Sequence, residues 1–117
     1  MTESEMLPVI KTYNNYLDRM QETIKHLCLN FEENSLQEFK LVLPAVVEGL
    51  AWLNEAVINF VRVGKIAEDQ YRTFQQLMAD ITEALANKDY ILLHDLFEYE
   101  LKALLTALKI PIAPITN

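Results

Sequence analysis

Apolar residues recur along this chain at alternating steps of four and three, and short polar breaks divide them into successive runs. The first run carries Met6, Ile10, Tyr13, Leu17, Met20, Ile24, Leu27 and Phe31, the seam of a helix packed nearly parallel to its neighbours. The run begins at Met6, and Pro8 is expected within the first turn of the helix or at its start, where a missing N–H costs little. Ser35 and Glu38 have capping-box spacing and open a second run through Leu36, Phe39, Leu43, Val46, Leu50, Leu53, Val57 and Phe60 to about Arg62. Pro44 falls inside this run and predicts a kink near Val42, or a short helix followed by a longer one that begins at Pro44. Gly64 suits the left-handed cap of the second helix. A third helix is expected from near Ile66 to about Asn87, with Tyr71, Phe74, Met78, Ile81 and Leu85 as its buried stripe and Glu68 and Asp69 at the positive end of its dipole. Asp89 caps a fourth, whose apolar face takes in Tyr90, Leu93, Leu96, Phe97, Leu101, Leu104, Leu105 and Leu108.

The rhythm Met20, Ile24, Leu27, Phe31, Leu36, Phe39, Leu43, Val47, Leu50 returns at a constant offset as Phe74, Met78, Ile81, Leu85, Tyr90, Leu93, Phe97, Leu101, Leu104. Both copies are interrupted by a polar break, Glu33-Asn34-Ser35 in one and Asn87-Lys88-Asp89 in the other. Two helical hairpins follow from that pattern. Short turns between long helices call for an all-α, antiparallel up-down four-helix bundle, with one domain over residues 1–109 and an extended apolar tail over 110–117. The first hairpin is the longer, so at about 1.5 Å per residue the ends of its helices should project beyond the second. The tail alternates Ile110, Ile112 and Ile115 with Pro111 and Pro114, which forbids helix and leaves three isoleucines that the bundle or a partner must cover.

Composition narrows the function classes. With 117 residues, 51% of them apolar, the chain can bury one core unaided. Its single cysteine, Cys28, sits on an apolar face and suits a reducing compartment. The opening MTESEMLPVIK lacks the order of a secretory signal, so a cytoplasmic protein is expected. Glu48, Asn54, Glu55 and Asn59 break the most apolar stretch, Leu41 to Val63, which reads as a central bundle helix and not a membrane span. A net charge of −7 with no basic patch disfavours nucleic acid and anionic membranes as partners.

Catalytic signals are thin. The two glycines, Gly49 and Gly64, cannot build a phosphate-binding loop. Glu22/His26 and His94/Glu98 each place a histidine four residues from a carboxylate, and helical bundles can hold metal on such pairs. Both pairs fall largely off the apolar stripes and lack Glu-x-x-His spacing, so they are expected as solvated helix faces, with no metal, no cofactor and no effect of replacing either histidine on stability. Arg19 and His26 have the arginine-then-histidine spacing of some helical-bundle RNases, but Met20 follows the arginine where those enzymes carry a polar residue, and the pair sits on the first helix. Cys28 in an apolar seam reads as inert. The chain is therefore not expected to be an enzyme.

Gly49 lies in mid-helix, at a cost of about 1 kcal/mol relative to alanine, which implies that another backbone or a large ring packs on it. Trp52 follows on the same side, and Tyr16 lies beside the main stripe of the first helix. With Tyr99 and the tail residues Ile110, Ile112 and Ile115, these are the candidate partner-binding positions.

The run ADITEALANKDYILLHDLFEYELKALLTAL joins an alanine-rich helix, a polar break with an acid, and a helix of leucines and acids. It resembles the helical hairpin of small bacterial flagellar export chaperones, and HLCLNFEENSLQEFKLVLPAVVEGLAWL has a similar layout. The late segment DYILLHDLFEYEL is also similar to uncharacterised small bacterial helical-bundle proteins. The resemblance implies a cytoplasmic, non-catalytic protein that holds an amphipathic helix of another protein. A homodimer is the alternative, since a second copy would cover the same surfaces.

Leu50 and Leu104 occupy matching central places in helices two and four. Leu50→Asp and Leu104→Asp should each put an uncompensated charge in the core and lower unfolding free energy by about 3–5 kcal/mol, measured by urea titration.

Overall fold

The computed structural model describes residues 2–32 and 36–112, a helical array with no strand among them. Helix α1 spans Glu3–Glu32, α2 Leu36–Arg62, α3 Glu68–Ala86 and α4 Tyr90–Asp95. A π-helical segment, Leu96–Leu101, carries α4 directly into α5, Lys102–Ala107, and these three pieces form one C-terminal rod. The protein is an all-α bundle of four rods, 53 × 24 × 20 Å in extent.

The ends of the helices follow from local chemistry. Thr2 Oγ1 accepts the Glu5 N–H at 3.2 Å, so α1 begins before the expected Met6 and Pro8 lies in its second turn. The carbonyl that Pro8 leaves without a helical donor belongs to exposed Ser4, where water can serve it. Helix α2 continues through Pro44, which excludes the second of the two expected outcomes, a short helix followed by a longer one. Lys40, four residues earlier, is exposed, and its orphaned carbonyl costs little at the solvent face. The cap expected from Ser35 lies outside the described residues.

The two described turns have the same hydrogen-bond design. After α2, Lys65 N–H donates to the Phe60 carbonyl at 2.8 Å and Gly64 N–H to that of Val61 at 3.1 Å, with Gly64 at φ 76°. After α3, Asp89 N–H donates to the Ala84 carbonyl at 2.9 Å and Lys88 N–H to that of Leu85 at 3.1 Å. Lys88 takes the left-handed position there, at φ 54°. Asp89 Oδ1 then accepts Leu92 N–H at 3.1 Å and starts the C-terminal rod. Helix α3 begins at Glu68, two residues beyond the expected start, because the Gln70 side chain reaches back to Ala67 N–H at 3.0 Å.

Helix α1 packs on α2 and on the C-terminal rod, and α3 closes the ring by packing on both of these. Along α1 and α2, Phe31 meets Phe39, Tyr16 meets Gly49 and Trp52, Tyr13 meets Phe60, and Glu3 pairs with Lys65 at 2.8 Å. Against the C-terminal rod, Cys28 meets His94, Gln21 bonds the Lys102 carbonyl at 3.1 Å and Thr106 Oγ1 at 2.6 Å, and the buried Tyr13 hydroxyl donates to the Leu108 carbonyl at 2.9 Å. Asn14 ties down the chain that follows, accepting Ile110 N–H at 3.0 Å and donating to the Ile110 carbonyl at 2.9 Å. Ile110 is thus buried as part of the bundle. Ile112 is 40% exposed, so the bundle itself does not cover it; Ile115 lies outside the described residues. Past Tyr13, which makes its last described hydrogen bond to the C-terminal rod, α1 continues for about 15 Å to Glu3, whereas α2, whose Phe60 meets Tyr13, ends two residues later at Arg62.

The core explains the π-helical segment. Buried positions in α1 and α2 keep the four-three rhythm, whereas Leu93, Phe97, Leu101 and Leu105 recur at every fourth residue and have no exposed surface. In an α-helix each step of four overshoots a full turn by about 40°, which would swing Leu105 about 120° away from Leu93. A ladder bonded from i to i+5 takes in an extra residue per turn and keeps all four on one side. The same register changes the expected repeat: α2 buries Val46 and leaves Val47 half-exposed, so Val47 and Leu101 are not equivalent. Leu50 and Leu104 are both buried, as the repeat predicts.

Because Lys88 holds a conformation that glycine adopts without strain, Lys88→Gly should raise unfolding free energy by about 1 kcal/mol, seen as a higher urea midpoint at unchanged slope.

Candidate functional site

The α1–α2 pair carries an open groove of about 570 Å³. Its floor is made by Met6, Tyr13 and Phe60, which are buried, and its rims by Val9 on α1 and Trp52 and Val63 on α2. Val9, Trp52 and Val63 are each close to half exposed, at 45, 49 and 50%. The polar contribution is small and comes from Thr12, Glu55 and Asn59. Helix α2 is apolar enough to reach a mean hydropathy of 1.6, and among the described residues it is the helix long and apolar enough to cross a membrane. Its buried stripe, Phe39 to Phe60, faces the core, while Leu41, Val47 and Trp52 remain on its outer side beside Glu48 and Glu55.

Of the residues singled out from the sequence, Tyr16, Gly49 and Trp52 come together next to this groove. The Tyr16 hydroxyl donates to the Gly49 carbonyl at 3.0 Å, and the Tyr16 and Trp52 rings stand 4.3 Å apart. A Cβ on Gly49 would lie 2.5 Å from Met20 Cε and 2.7 Å from the Tyr16 hydroxyl, so Gly49 serves the close approach of a large ring. Burial raises the Tyr16 phenol above its ordinary pKa, with nearby Arg19 opposing; burial also pushes the Tyr13 phenol up. Tyr99, 71% exposed, lies in the π-helical segment and takes no part in the groove, and Ile110 is spent in the core. Val9 and Val63 were not among the candidates, because each falls outside the three-four seam of its helix, and apolar residues off the seam are the signal that would have found them.

The histidines divide. Glu22 and His26 are exposed on α1, as expected. His94 is not on a solvated face: it is only 7% exposed, because the register that aligns Leu93 and Phe97 turns it toward α1. Its ring stacks on Phe31 at 4.9 Å, and its Nδ1 lies 3.1 Å from Asp95 Oδ1. Cys28 Sγ, 4.0 Å from the His94 carbonyl, is buried beside it. Donor atoms of Cys28, His94 and Glu98 all lie within 4.8 Å of one another. The Glu98 carboxylate is part-exposed, with Lys102 Nζ at 3.4 Å from Oε1. The pair His94/Glu98 is therefore joined by a cysteine from α1, and the expectation of two solvated pairs is corrected for this one.

By fold the protein is an all-α four-rod bundle, with a lateral groove and a cluster of two buried donors and a part-exposed carboxylate. Residues 8–110 match the family described as a domain of unknown function (DUF8042), and the chain belongs to that family. The match takes in Cys28, His94, Glu98 and the groove from Val9 onward. No curated protein and no solved structure matches the chain.

Gly49→Ala sets a gain in helix propensity of about 1 kcal/mol against the displacement of Tyr16 and Met20. We expect net destabilisation of about 1–2 kcal/mol by urea titration. In a Tyr16→Phe background, which lacks the hydroxyl, the cost of Gly49→Ala should shrink.

Proposed function

We infer that this protein is a non-catalytic interaction module of the cytoplasm whose α1–α2 groove receives the apolar face of an amphipathic helix from another protein. The observation that carries this reading is the placement of half-exposed Val9, Trp52 and Val63 around a floor of Met6, Tyr13 and Phe60. Two helices supply these side chains at three- and four-residue steps, the spacing into which a third helix fits residues at i, i+3 or i+4, and i+7. Glu55 on the wall and a net charge of −7 favour a partner helix flanked by lysine or arginine. The resemblance to flagellar export chaperones points the same way.

Trp52 is the only tryptophan in the chain, so its emission reports the groove directly. Titrating the full chain with a synthetic helical peptide bearing leucines at i, i+4 and i+7 and flanking lysines should give a saturable blue shift. Val9→Glu and Val63→Glu should each weaken binding by about tenfold or more while leaving thermal melting almost unchanged, since both side chains are half-exposed. Equal binding by those variants would overturn the reading. So would a concentration-dependent dimer that the same substitutions dissociate, because the groove would then serve a second copy.

A further inference from the structure

We propose that Cys28, His94 and Glu98 form a binding site for a zinc-class divalent cation, pinning α1 to the C-terminal rod at its π-helical segment. Thiolate, imidazole and carboxylate together are a zinc donor set; the thiolate excludes magnesium and calcium, which take oxygen ligands. The three residues come from two rods, with 66 positions between Cys28 and His94, and still hold donor atoms within 4.8 Å of one another. Tetrahedral zinc at 2.0–2.3 Å from each ligand needs donor separations of about 3.5 Å, so binding draws the donor atoms together from within 4.8 Å.

The surroundings support ligation. His94 Nδ1 lies 3.1 Å from Asp95 Oδ1, which sets a carboxylate beside the imidazole as in the carboxylate–histidine pairs found behind zinc ligands. Phe31, stacked on the ring, holds its orientation. Cys28 and His94 are buried, while Glu98 keeps part of its surface in water and opens a path for the ion. Two cations face the cluster's edge in competition: Lys102 already touches Glu98, and an incoming ion must share that carboxylate with it. On binding, the Cys28 thiol gives its proton to solvent as the sulfur–metal bond forms, so one proton is released per ion from that residue. Three protein ligands leave a fourth position for water.

Cobalt(II) tests the site, since it follows zinc in geometry and reports thiolate ligation by a charge-transfer band. Reduced, metal-free, full-length protein titrated with Co²⁺ should show that band at one ion per chain, with bleaching by Zn²⁺ and a higher melting temperature in the zinc form. Cys28→Ser should abolish the band, Glu98→Gln should weaken binding by about tenfold or more, and Lys102→Met should tighten it. His26→Ala, on the exposed face of α1, should change nothing. No charge-transfer band with the folded wild-type chain would overturn the proposal, as would unchanged affinity in Cys28→Ser or loss of the site in His26→Ala. The wild-type measurement does not depend on any variant folding, and none of these outcomes bears on the groove.

Discussion

The C-terminal rod must keep Leu93, Phe97, Leu101 and Leu105 on one line, and a regular α-helix cannot do so. The four side chains together bury a large apolar area, each worth about 1.5–3 kcal/mol relative to exposure. Local unwinding into a π-helical segment is the structural answer, and much else follows from it. His94, next to Leu93, turns inward onto Phe31, and Glu98, next to Phe97, reaches the same place. Further along, the rod arrives at α1 in a register that sets the Leu108 carbonyl on the Tyr13 hydroxyl and Ile110 on Asn14.

Helix α1 is the element that reads this register. Tyr13, Asn14 and Gln21 each spend a polar group on a backbone carbonyl of the C-terminal rod or of the chain just beyond it, and Asp18 adds an ion pair with Lys109. A buried donor left unpaired costs more than a paired one gains, so such bonds select one alignment of the rods more than they strengthen it. The Tyr13 phenol illustrates this: burial raises its pKa, which keeps it protonated and donating well into the alkaline range. Helix α1 thus faces two ways, with a polar-edged seam toward the C-terminal rod and an apolar margin at Val9 and Tyr16 toward α2 and solvent.

That division separates the groove from the donor cluster. The groove runs along the α1–α2 pair from Trp52 and Tyr13 to Val63 and Met6, while Cys28 and His94 sit toward the opposite end of α1. Occupying the groove would bury Trp52 without disturbing the cluster's ligands. A cation on the cluster would instead tie α1 more firmly to the C-terminal rod, the joint on which the rest of the bundle aligns.

What the sequence by itself determined is local in origin. The three-four rhythm specified the seams of α1 and α2 apart from Leu36, which is exposed; Gly64 marked the end of α2 and Asp89 the start of α4, and Gly49 announced the close approach that Tyr16 makes. Thr2 and Gln70 also act locally, through caps whose residue spacing is legible once the helix start is known. Of the two outcomes open at Pro44, a kink or a break, the structure excludes the break, because proline reveals only that a carbonyl loses its partner, and tertiary placement put that carbonyl at the solvent surface. Lys88 in the left-handed region was invisible for a related reason: lysine does not prefer that conformation, and the turn between packed rods imposes it. The period of four from Leu93 to Leu105 was written in the chain, yet whether the helix would unwind or the side chains drift depended on what the neighbouring rods could bury. The same decision brought Cys28 to His94 across 66 residues, a proximity that no spacing encodes and that only the packing of one rod on another creates.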